Sequence, residues 1–253
     1  DHPYVMKCVD LPPTKTSSRK NTRMHHVANT LYMEYLCYQN IPPHSNIPAL
    51  EIFPSKLRVK RYGEQDGCRF LVLPRFGMDL KKWRAGQDLH QQPSWEFIAN
   101  LGKQMLDAIQ HLHDNQYVYV DVKPDNFVFE WNASINTSVS IFLIDYGVCD
   151  KYMTSRGKHR DNKSTGMQGT PTFASLAVHQ GNSVARRDDI EAIGYVLCHL
   201  VCGDLPWSAA ASSQSCLNMK GNLSIPVLCE PIVCPKTKAC LIQWLEKSRA
   251  IPY

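Results

Sequence analysis

The order of periodic segments along the chain is the feature that most constrains its fold. In the first third, apolar residues alternate or cluster as they do in short β-strands, and one segment has helical spacing. The predicted strands are residues 4–9, 58–62 and 68–73, the predicted helix is 27–38, and residues 63–67 are predicted as a turn. Residues 74–77, with Pro74 and Gly77 at their ends, indicate a connector that ends the last strand. The sequence therefore predicts a small strand-rich unit that ends near residue 73.

Beyond this connector the pattern becomes helical. Ser94 is a suitable N-cap for a helix that runs to about His113, with apolar residues at steps of three and four. Helices are also predicted over 188–202, ended by Gly203, and over 236–247, with short strands over 127–129 and 140–144 and a loop over 208–235. The predicted fold class is therefore α+β, with a small first lobe, a larger helical lobe and a ligand-binding cleft between them.

Composition supports a globular chain and argues against several classes of protein. Hydrophobic residues make up 43% of the 253 residues, and 28 Lys and Arg against 23 Asp and Glu give a net charge of +5. This is not the composition of a disordered chain, and so small an excess of positive charge gives no evidence for nucleic-acid binding. No apolar run reaches roughly 18 residues, so we expect no membrane span. The first residues have neither the charged nor the apolar part of a signal peptide, so we expect none there.

The cysteine pattern bears on the compartment. The ten cysteines are scattered, without a C-x-x-C pair or the spacing of zinc ligands. They indicate reduced thiols in an intracellular protein, located in the cytoplasm or the nucleus. The basic residues between positions 14 and 23 favour a solvated loop.

Two short stretches carry the chemistry. Residues 117–127 follow the helix that Ser94 begins, residues 143–147 follow a strand, and together they supply Asp121, Lys123, Asn126 and Asp145. Phosphoryl transfer uses these residue types, because one carboxylate accepts the hydroxyl proton, a cation neutralises the moving group, and a carboxylate with an amide oxygen holds Mg²⁺. Each aspartate alone is more often a surface or capping carboxylate. The ordered set favours a functional site.

With these motifs the chain resembles the eukaryotic protein kinases, and within them the casein kinase one group, which includes the vaccinia-related kinases. The similarity lies in residues 5–7, 69–73, 123–127, 145–147, 169–175, 186–195 and 205–207, and it runs from about residue 4 to residue 207. The resemblance implies a bilobal kinase fold. It implies a partial N-lobe over 1–73, a hinge over 74–80 and a C-lobe over 81–253.

The resemblance also implies roles for particular residues. Asp121 stands at the catalytic base, Lys123 beside the transferred phosphoryl group, and Thr170 is expected to hydrogen-bond both of them. For ATP the implied residues are Lys7 with its ion-pair partner Glu34, the gatekeeper Leu73, the carbonyl of Pro74, the N–H of Phe76, and the metal ligands Asn126 and Asp145. Asp189 is expected to anchor the catalytic loop, and Tyr38, Tyr119 and Tyr146 to stack between the lobes.

Arg186 and Arg187 have two interpretations. They can be a solvated pair at the start of a helix, or, as the resemblance implies, a basic patch that receives an acidic or pre-phosphorylated substrate residue.

The sequence departs from the kinase pattern at three places. Tyr119 and Val120 stand where the His and Arg of H-R-D stand, and because Val120 cannot pair with a phosphate, no activation-loop phosphate switch is expected. The Gly-rich loop is absent before Lys7. The sequence also stops before the final helix of the family, so we expect a chain truncated at both ends.

The function implied is that of a serine/threonine protein kinase that transfers the γ-phosphoryl group of ATP, with Mg²⁺, to protein hydroxyls. The partner is then a protein substrate, and the enzyme is expected to be a monomer without a membrane or nucleic-acid partner. The alternative is a catalytically impaired pseudokinase that acts as a protein-binding scaffold. A small-molecule kinase would share Asp121 and Asn126, but it explains the segments at 169–175 and 186–195 poorly.

Overall fold

The structure of the protein is a computed structural model. It describes residues 3–11, 19–49, 61–88, 91–163 and 166–253, with the backbone alone for 19–25. In chain order the elements are β1 (Tyr4–Asp10), α1 (Arg19–Asn40), β2 (Tyr62–Gln65), β3 (Cys68–Pro74), α2 (Leu80–Ala85), α3 (Trp95–Asp114), β4 (Tyr117–Val118), a 3₁₀ turn (Pro124–Asn126), β5 (Phe127–Phe129), β6 (Ile141–Leu143), β7 (Asp150–Lys151), α4 (Leu176–His179), α5 (Arg186–Cys202), α6 (Ser213–Asn222), α7 (Ile225–Leu228) and α8 (Pro235–Ala250). Short sheets and a majority of helices confirm the predicted α+β class.

The first lobe is an antiparallel sheet with one helix against it. The strand order is β1-β3-β2, and Lys7 of β1 lies opposite Leu71 of β3. Asp66 and Gly67 make the turn between β2 and β3, and both have positive φ, which glycine adopts without strain. The predicted turn over 63–67 is too long, because residues 63–65 pair with β3. The expected strand at 58–62 lies mostly outside the described residues.

Helix α1 is longer than the periodicity indicates. It begins at Arg19, so the prediction of a loop up to residue 23 is wrong for residues 19–23, and residues 14–18 lie outside the described part of the chain. No Pro or Gly interrupts the sequence from Arg19 to Asn40. The helix can therefore extend toward the N-terminus beyond its apolar positions, because no helix-breaking residue stops it.

The second lobe is built around two buried helices, α3 and α5. The Ser94 hydroxyl accepts a hydrogen bond from the Phe97 N–H at 3.2 Å, as the N-cap prediction requires. Helix α5 ends at Gly203, whose φ of 85° lies in the region that favours glycine. Gly102 lets the helices approach closely, because a Cβ at this position would lie 3.2 Å from a methyl group of Leu197. The core of this lobe fixes the two loops that carry the motifs.

The prediction of a loop over 208–235 is wrong, since α6 and α7 lie within it. These helices show little apolar periodicity, and α6 begins with a local cap in which the Ser212 hydroxyl accepts from the Ser215 N–H at 3.1 Å.

The sequence pattern does not predict helix α2 either. It begins where the Asp79 side chain accepts from the Lys82 N–H at 2.7 Å. Within the described ranges, no helix combines the length and the apolar character that crossing a membrane requires.

Candidate active site

The centre of the site is a lysine between two carboxylates. The Lys7 ammonium on β1 lies 2.7 Å from a Glu34 oxygen on α1 and 2.9 Å from an Asp145 oxygen in the second lobe. Burial alone would lower the pKa of Lys7, but the two carboxylates outweigh it and the pKa is raised. The lysine therefore stays charged, and the predicted Lys7–Glu34 ion pair is confirmed as a contact.

Glu34 is the buried member of this group. Its side chain is 1% exposed, and burial raises its pKa while the charge of Lys7 opposes the change. An unpaired carboxylate at this depth would be costly, so Lys7 and Glu34 hold α1 against β1 as a unit.

Asp121 is oriented through both of its oxygens. The Thr170 hydroxyl donates to Oδ1 at 2.7 Å, and the Lys123 ammonium donates to Oδ2 at 2.5 Å. The expected bond between Thr170 and Asp121 is present, whereas Lys123 reaches the other oxygen of Asp121 rather than Thr170. Because two donors from different segments fix one carboxylate, the position of Asp121 depends on both of these segments.

The loop that carries Asp121 is anchored from α5. The Asp189 carboxylate, 1% exposed, accepts from the N–H of Tyr119 at 2.8 Å and of Val120 at 2.9 Å, as predicted. It also lies 2.8 Å from His113 Nε2, a partner that sequence reasoning missed because no local pattern links residues 76 apart. Val120 has a φ of 75°, a strained conformation for a β-branched residue, and Asp189 holds it.

Asn126 joins the two motif-bearing loops. Its Nδ2 donates to the Asp121 carbonyl at 3.0 Å, and its own carbonyl accepts from the Ile144 N–H at 3.0 Å, next to Asp145. The amide oxygen of Asn126 and the carboxylate of Asp145 are oxygen ligands of the kind that Mg²⁺ prefers. No cluster of three or more His, Cys, Asp or Glu side chains suited to a metal occurs in the described part of the chain. Mg²⁺ is usually held by one or two protein ligands together with substrate phosphates, and seldom by protein ligands alone. The two oxygen ligands from Asn126 and Asp145 therefore fit a Mg²⁺ ion that is also coordinated by phosphates.

Three buried tyrosines connect the lobes behind this site. The rings of Tyr38 and Tyr146 meet edge to face at 4.8 Å, and those of Tyr146 and Tyr119 at 5.8 Å. The Tyr119 hydroxyl donates to the carbonyls of Ile144 and Asp145, the second at 3.1 Å. Burial raises the pKa of all three hydroxyls well above the ordinary value, so they remain neutral. The predicted contact between the three rings is confirmed, with edge-to-face rather than parallel geometry.

The connector between the lobes has a defined register. The Arg75 N–H donates to the Pro3 carbonyl at 2.8 Å, which makes Pro3 and Arg75 a hydrogen-bonded pair of the β1–β3 ladder. The next pair, Tyr4 and Pro74, is then non-hydrogen-bonded, so the Pro74 carbonyl points away from β1 and its missing N–H costs no ladder bond. Leu73, immediately before it, is buried at 8% exposure.

Past this point the connector is fixed to the second lobe. The Phe76 ring contacts the Phe142 ring at 4.9 Å, and the Gly77 N–H donates to the Phe129 carbonyl at 2.8 Å. A Cβ on Gly77 would lie 3.0 Å from the Glu130 carbonyl, so this close approach requires glycine.

Arg186 and Arg187 do not point the same way. The Arg186 guanidinium lies 4.9 Å from the centre of the Tyr152 ring. Arg187 donates to the Ile251 carbonyl at 2.9 Å and lies 5.8 Å from the Tyr253 ring. A cavity of about 450 Å³ near them is lined by Tyr152, Arg160, Lys163, Gln168 and Tyr253, among others. A substrate patch at this place would therefore draw on Arg186 and Lys163, because Arg187 donates to the Ile251 carbonyl and Arg160 forms an ion pair with Asp150 at 2.6 Å.

Comparison with known proteins agrees with this geometry. A family profile described as the protein kinase domain matches residues 3–239. The chain is 33% identical over 142 residues to serine/threonine-protein kinase VRK2 of Homo sapiens, an alignment that covers 55% of this chain and 26% of that protein. It is 31% identical over 188 residues to casein kinase I homolog 3 of Schizosaccharomyces pombe, covering 72% of this chain and 39% of the relative.

These alignments span well under half the length of each relative, whereas the family profile covers most of this chain. The motifs that carry the resemblance lie in the matched region. The structure brings Lys7 and Asp145 together and bonds Thr170 to Asp121. The chain belongs to the protein kinase domain family.

Proposed function

We propose that this chain is a serine/threonine protein kinase that transfers the γ-phosphoryl group of Mg-ATP to protein hydroxyls. The observation that carries the proposal is the pairing of Lys7 with both Glu34 and Asp145, because it places a cation from the first lobe against a metal-binding type of carboxylate from the second. The aligned relatives named as serine/threonine or casein kinases support the substrate class.

Each residue has a role in the proposed reaction. Asp121, held by Thr170, accepts the proton of the substrate hydroxyl, and Lys123 stabilises charge on the moving phosphoryl group. Lys7, fixed by Glu34, contacts the α- and β-phosphates. Most of the rate gain then comes from positioning and electrostatic stabilisation.

The nucleotide is bound between the lobes in this proposal. Adenine lies beneath Leu73 and bonds the Pro74 carbonyl, which points away from β1, and the N–H of Phe76. Asn126 and Asp145 hold Mg²⁺, which neutralises the phosphates when bound.

The expected substrate is a protein with an acidic or pre-phosphorylated residue near the target hydroxyl. The basic side chains of Arg186 and Lys163 near one cavity support this part of the proposal. We propose a monomer as the active form.

The first test replaces a single carboxylate. We expect Asp145→Asn to reduce transfer of radiolabelled phosphate from ATP to an acidic protein by at least about a hundredfold, because a metal ligand is lost. Asp125→Asn is the matched control, since Asp125 lies in the same loop as Asp121 and pairs with Lys81 at 3.0 Å on the surface. Transfer by Asp145→Asn at the control's rate, in protein with an unchanged melting temperature, contradicts the assignment.

The pseudokinase alternative is favoured by one observation, the presence of Val120 where an arginine would receive an activating phosphate. A thermal-shift titration of the wild-type chain with Mg-ATP, next to the transfer assay, separates the two functions. A shift without transfer supports the scaffold, and a shift with transfer supports the kinase.

A further inference from the structure

A second lysine is buried in the larger lobe, away from the site described above. Lys220 lies on α6 and has 0% exposure. Taking an ammonium group out of water is costly unless its protons find acceptors. In the part of the chain that the structure describes, no carboxylate lies within ion-pair distance of Lys220. The buried ammonium of Lys220 must therefore be stabilised by groups other than carboxylates.

The acceptors are backbone carbonyls. Lys220 Nζ donates to the Pro171 carbonyl at 2.9 Å and to the Ala174 carbonyl at 2.6 Å, and it lies 3.3 Å from His179 Nε2. The rings of Tyr195 and Trp207 face the ammonium at 4.8 and 5.1 Å from their centres. The Pro171 carbonyl is also contacted by His179 Nε2 at 2.8 Å and Cys216 Sγ at 3.4 Å. Hydrogen bonds from a charged donor are roughly twice as strong as neutral ones, so Lys220 is the strongest of these donors.

The carbonyls belong to the segment 171–174, which follows Thr170 directly. Trp207 Nε1 donates to the Thr172 carbonyl at 2.8 Å, so donors from outside hold three of the four carbonyls in this segment. Thr170 in turn orients Asp121. Pro171 is exposed and Thr172 half-buried, so the segment presents a surface next to the proposed base.

We propose, on the basis of the proposed kinase function, that Lys220 is a positioning residue for the protein substrate. It holds segment 171–174 in the shape that receives the substrate backbone beside the target hydroxyl. Lys220 touches neither nucleotide nor substrate in this proposal and acts through the carbonyls of Pro171 and Ala174.

The titratable groups around Lys220 support a measurable pH dependence. Burial lowers its pKa to about 8, with Cys216 and Glu191 opposing this change and Arg249 adding to it. Burial and the charge of Lys220 lower the pKa of His179, so the imidazole is neutral at this pH, while burial raises the pKa of the Cys216 thiol. Glu191 bonds Tyr195 and Arg249 rather than Lys220.

The test is a steady-state comparison of Lys220→Met with wild type on a peptide substrate. We expect the KM for peptide to rise about tenfold, while the KM for ATP stays within about twofold, because only substrate positioning is lost. Lys238→Met is the matched control, since Lys238 also donates to a carbonyl, that of Glu230 at 3.0 Å, on the distant helix α8. Lys220→Arg keeps the charge and the donors, and it should restore part of the peptide affinity.

A pH series gives the second readout. In wild type the peptide KM should rise between about pH 7 and 9 as Lys220 loses its proton, and this rise should be absent in Lys220→Met. If Lys220→Met does not fold, Trp207→Phe removes the donor to Thr172 and should raise the peptide KM in the same way.

Three results would overturn the inference. One is an unchanged peptide KM in the folded Lys220→Met or, failing that, the Trp207→Phe variant. Another is a KM for ATP that rises in step with the KM for peptide. If the wild-type chain is active, either of these results overturns the role of Lys220 alone. The third result is that the wild-type chain transfers no phosphate, which overturns the proposed function and this inference together.

Discussion

The Thr170 hydroxyl donates to one carboxylate oxygen of Asp121 and so sets its direction. Loss of this hydrogen bond should therefore change kcat. Thr170→Ala removes the 2.7 Å bond to Asp121 Oδ1 and leaves the Lys123 bond in place. We expect kcat to fall by roughly tenfold to a hundredfold, because in the proposed reaction a misdirected Asp121 carboxylate loses alignment with the substrate hydroxyl. The KM for ATP should not change.

Steady-state assays of Thr170→Ala and Thr170→Ser measure this effect. The serine variant keeps the hydroxyl and should retain most of kcat. Equal loss in both variants would show that the methyl group, rather than the hydrogen bond to Asp121, matters.

At the residue scale, sequence predicts which of these side chains lie near one another where the signal is local. Asp121, Lys123 and Asn126 lie within six residues, and Asp145 follows a strand, so the residue types and their spacing are enough to indicate the chemistry. The bond from His113 to Asp189 and the carbonyl contacts of Lys220 join residues far apart in sequence. Such contacts arise from tertiary packing, and no period or motif indicates them.

At the scale of elements, the start of α5 contains a carboxylate whose burial links stability to pH. Asp188 accepts from the Ser175 hydroxyl at 2.6 Å and the Ala185 N–H at 2.7 Å, yet burial raises its pKa from 3.8 to about 6. The folded state then binds the proton more tightly than the unfolded state. The stabilisation is complete below about pH 4 and is lost as pH rises through about 6, which amounts to about 3 kcal/mol.

Asp188→Asn removes this titration. The melting temperature of wild type minus that of the variant should fall as pH rises from 4 to 7, measured by thermal melts in matched buffers. Asp114→Asn, at an exposed position, is the control and should give a constant difference. A constant difference for Asp188→Asn as well would contradict the assigned cause.

The elements that sequence missed share a physical character. Helices α6 and α2 begin with side-chain caps at Ser212 and Asp79, but they lack a continuous apolar face, because α6 buries only Cys216 and Lys220. Helix α3 buries a full stripe and is predicted with its cap. Apolar periodicity therefore predicts helices that bury a continuous stripe in the core. It does not predict helices that are stabilised by a cap and by one or two buried side chains.

On the scale of the whole molecule, Lys7 joins the two lobes through Glu34 and Asp145, and in the proposed complex it also contacts the nucleotide. If Mg-ATP binds the folded chain at one hundred times its Kd, it adds about 2.7 kcal/mol to the free energy of unfolding. Lys7→Met removes a phosphate contact in the proposed complex and leaves the Glu34 carboxylate buried without its partner. We expect the variant to lose more than roughly half of the Mg-ATP-induced rise in melting temperature.

Differential scanning fluorimetry with and without Mg-ATP checks this expectation. Lys81→Met is the control, because Lys81 forms a surface ion pair with Asp125 and should leave the nucleotide response unchanged. A full nucleotide response in Lys7→Met would mean that the lobes bind nucleotide without this lysine.

The hydroxyl of Tyr146 has a consequence for inhibitor design. It donates to the Leu143 carbonyl at 2.7 Å inside a pocket where the tyrosine is fully buried. A compound that displaces the Tyr146 ring must break this hydrogen bond and leave the Leu143 carbonyl without its donor. A phenylalanine at this position has no hydroxyl, so its displacement would not carry this cost in free energy. Compounds confined to the nucleotide cleft of the proposed kinase leave this bond intact and avoid the penalty.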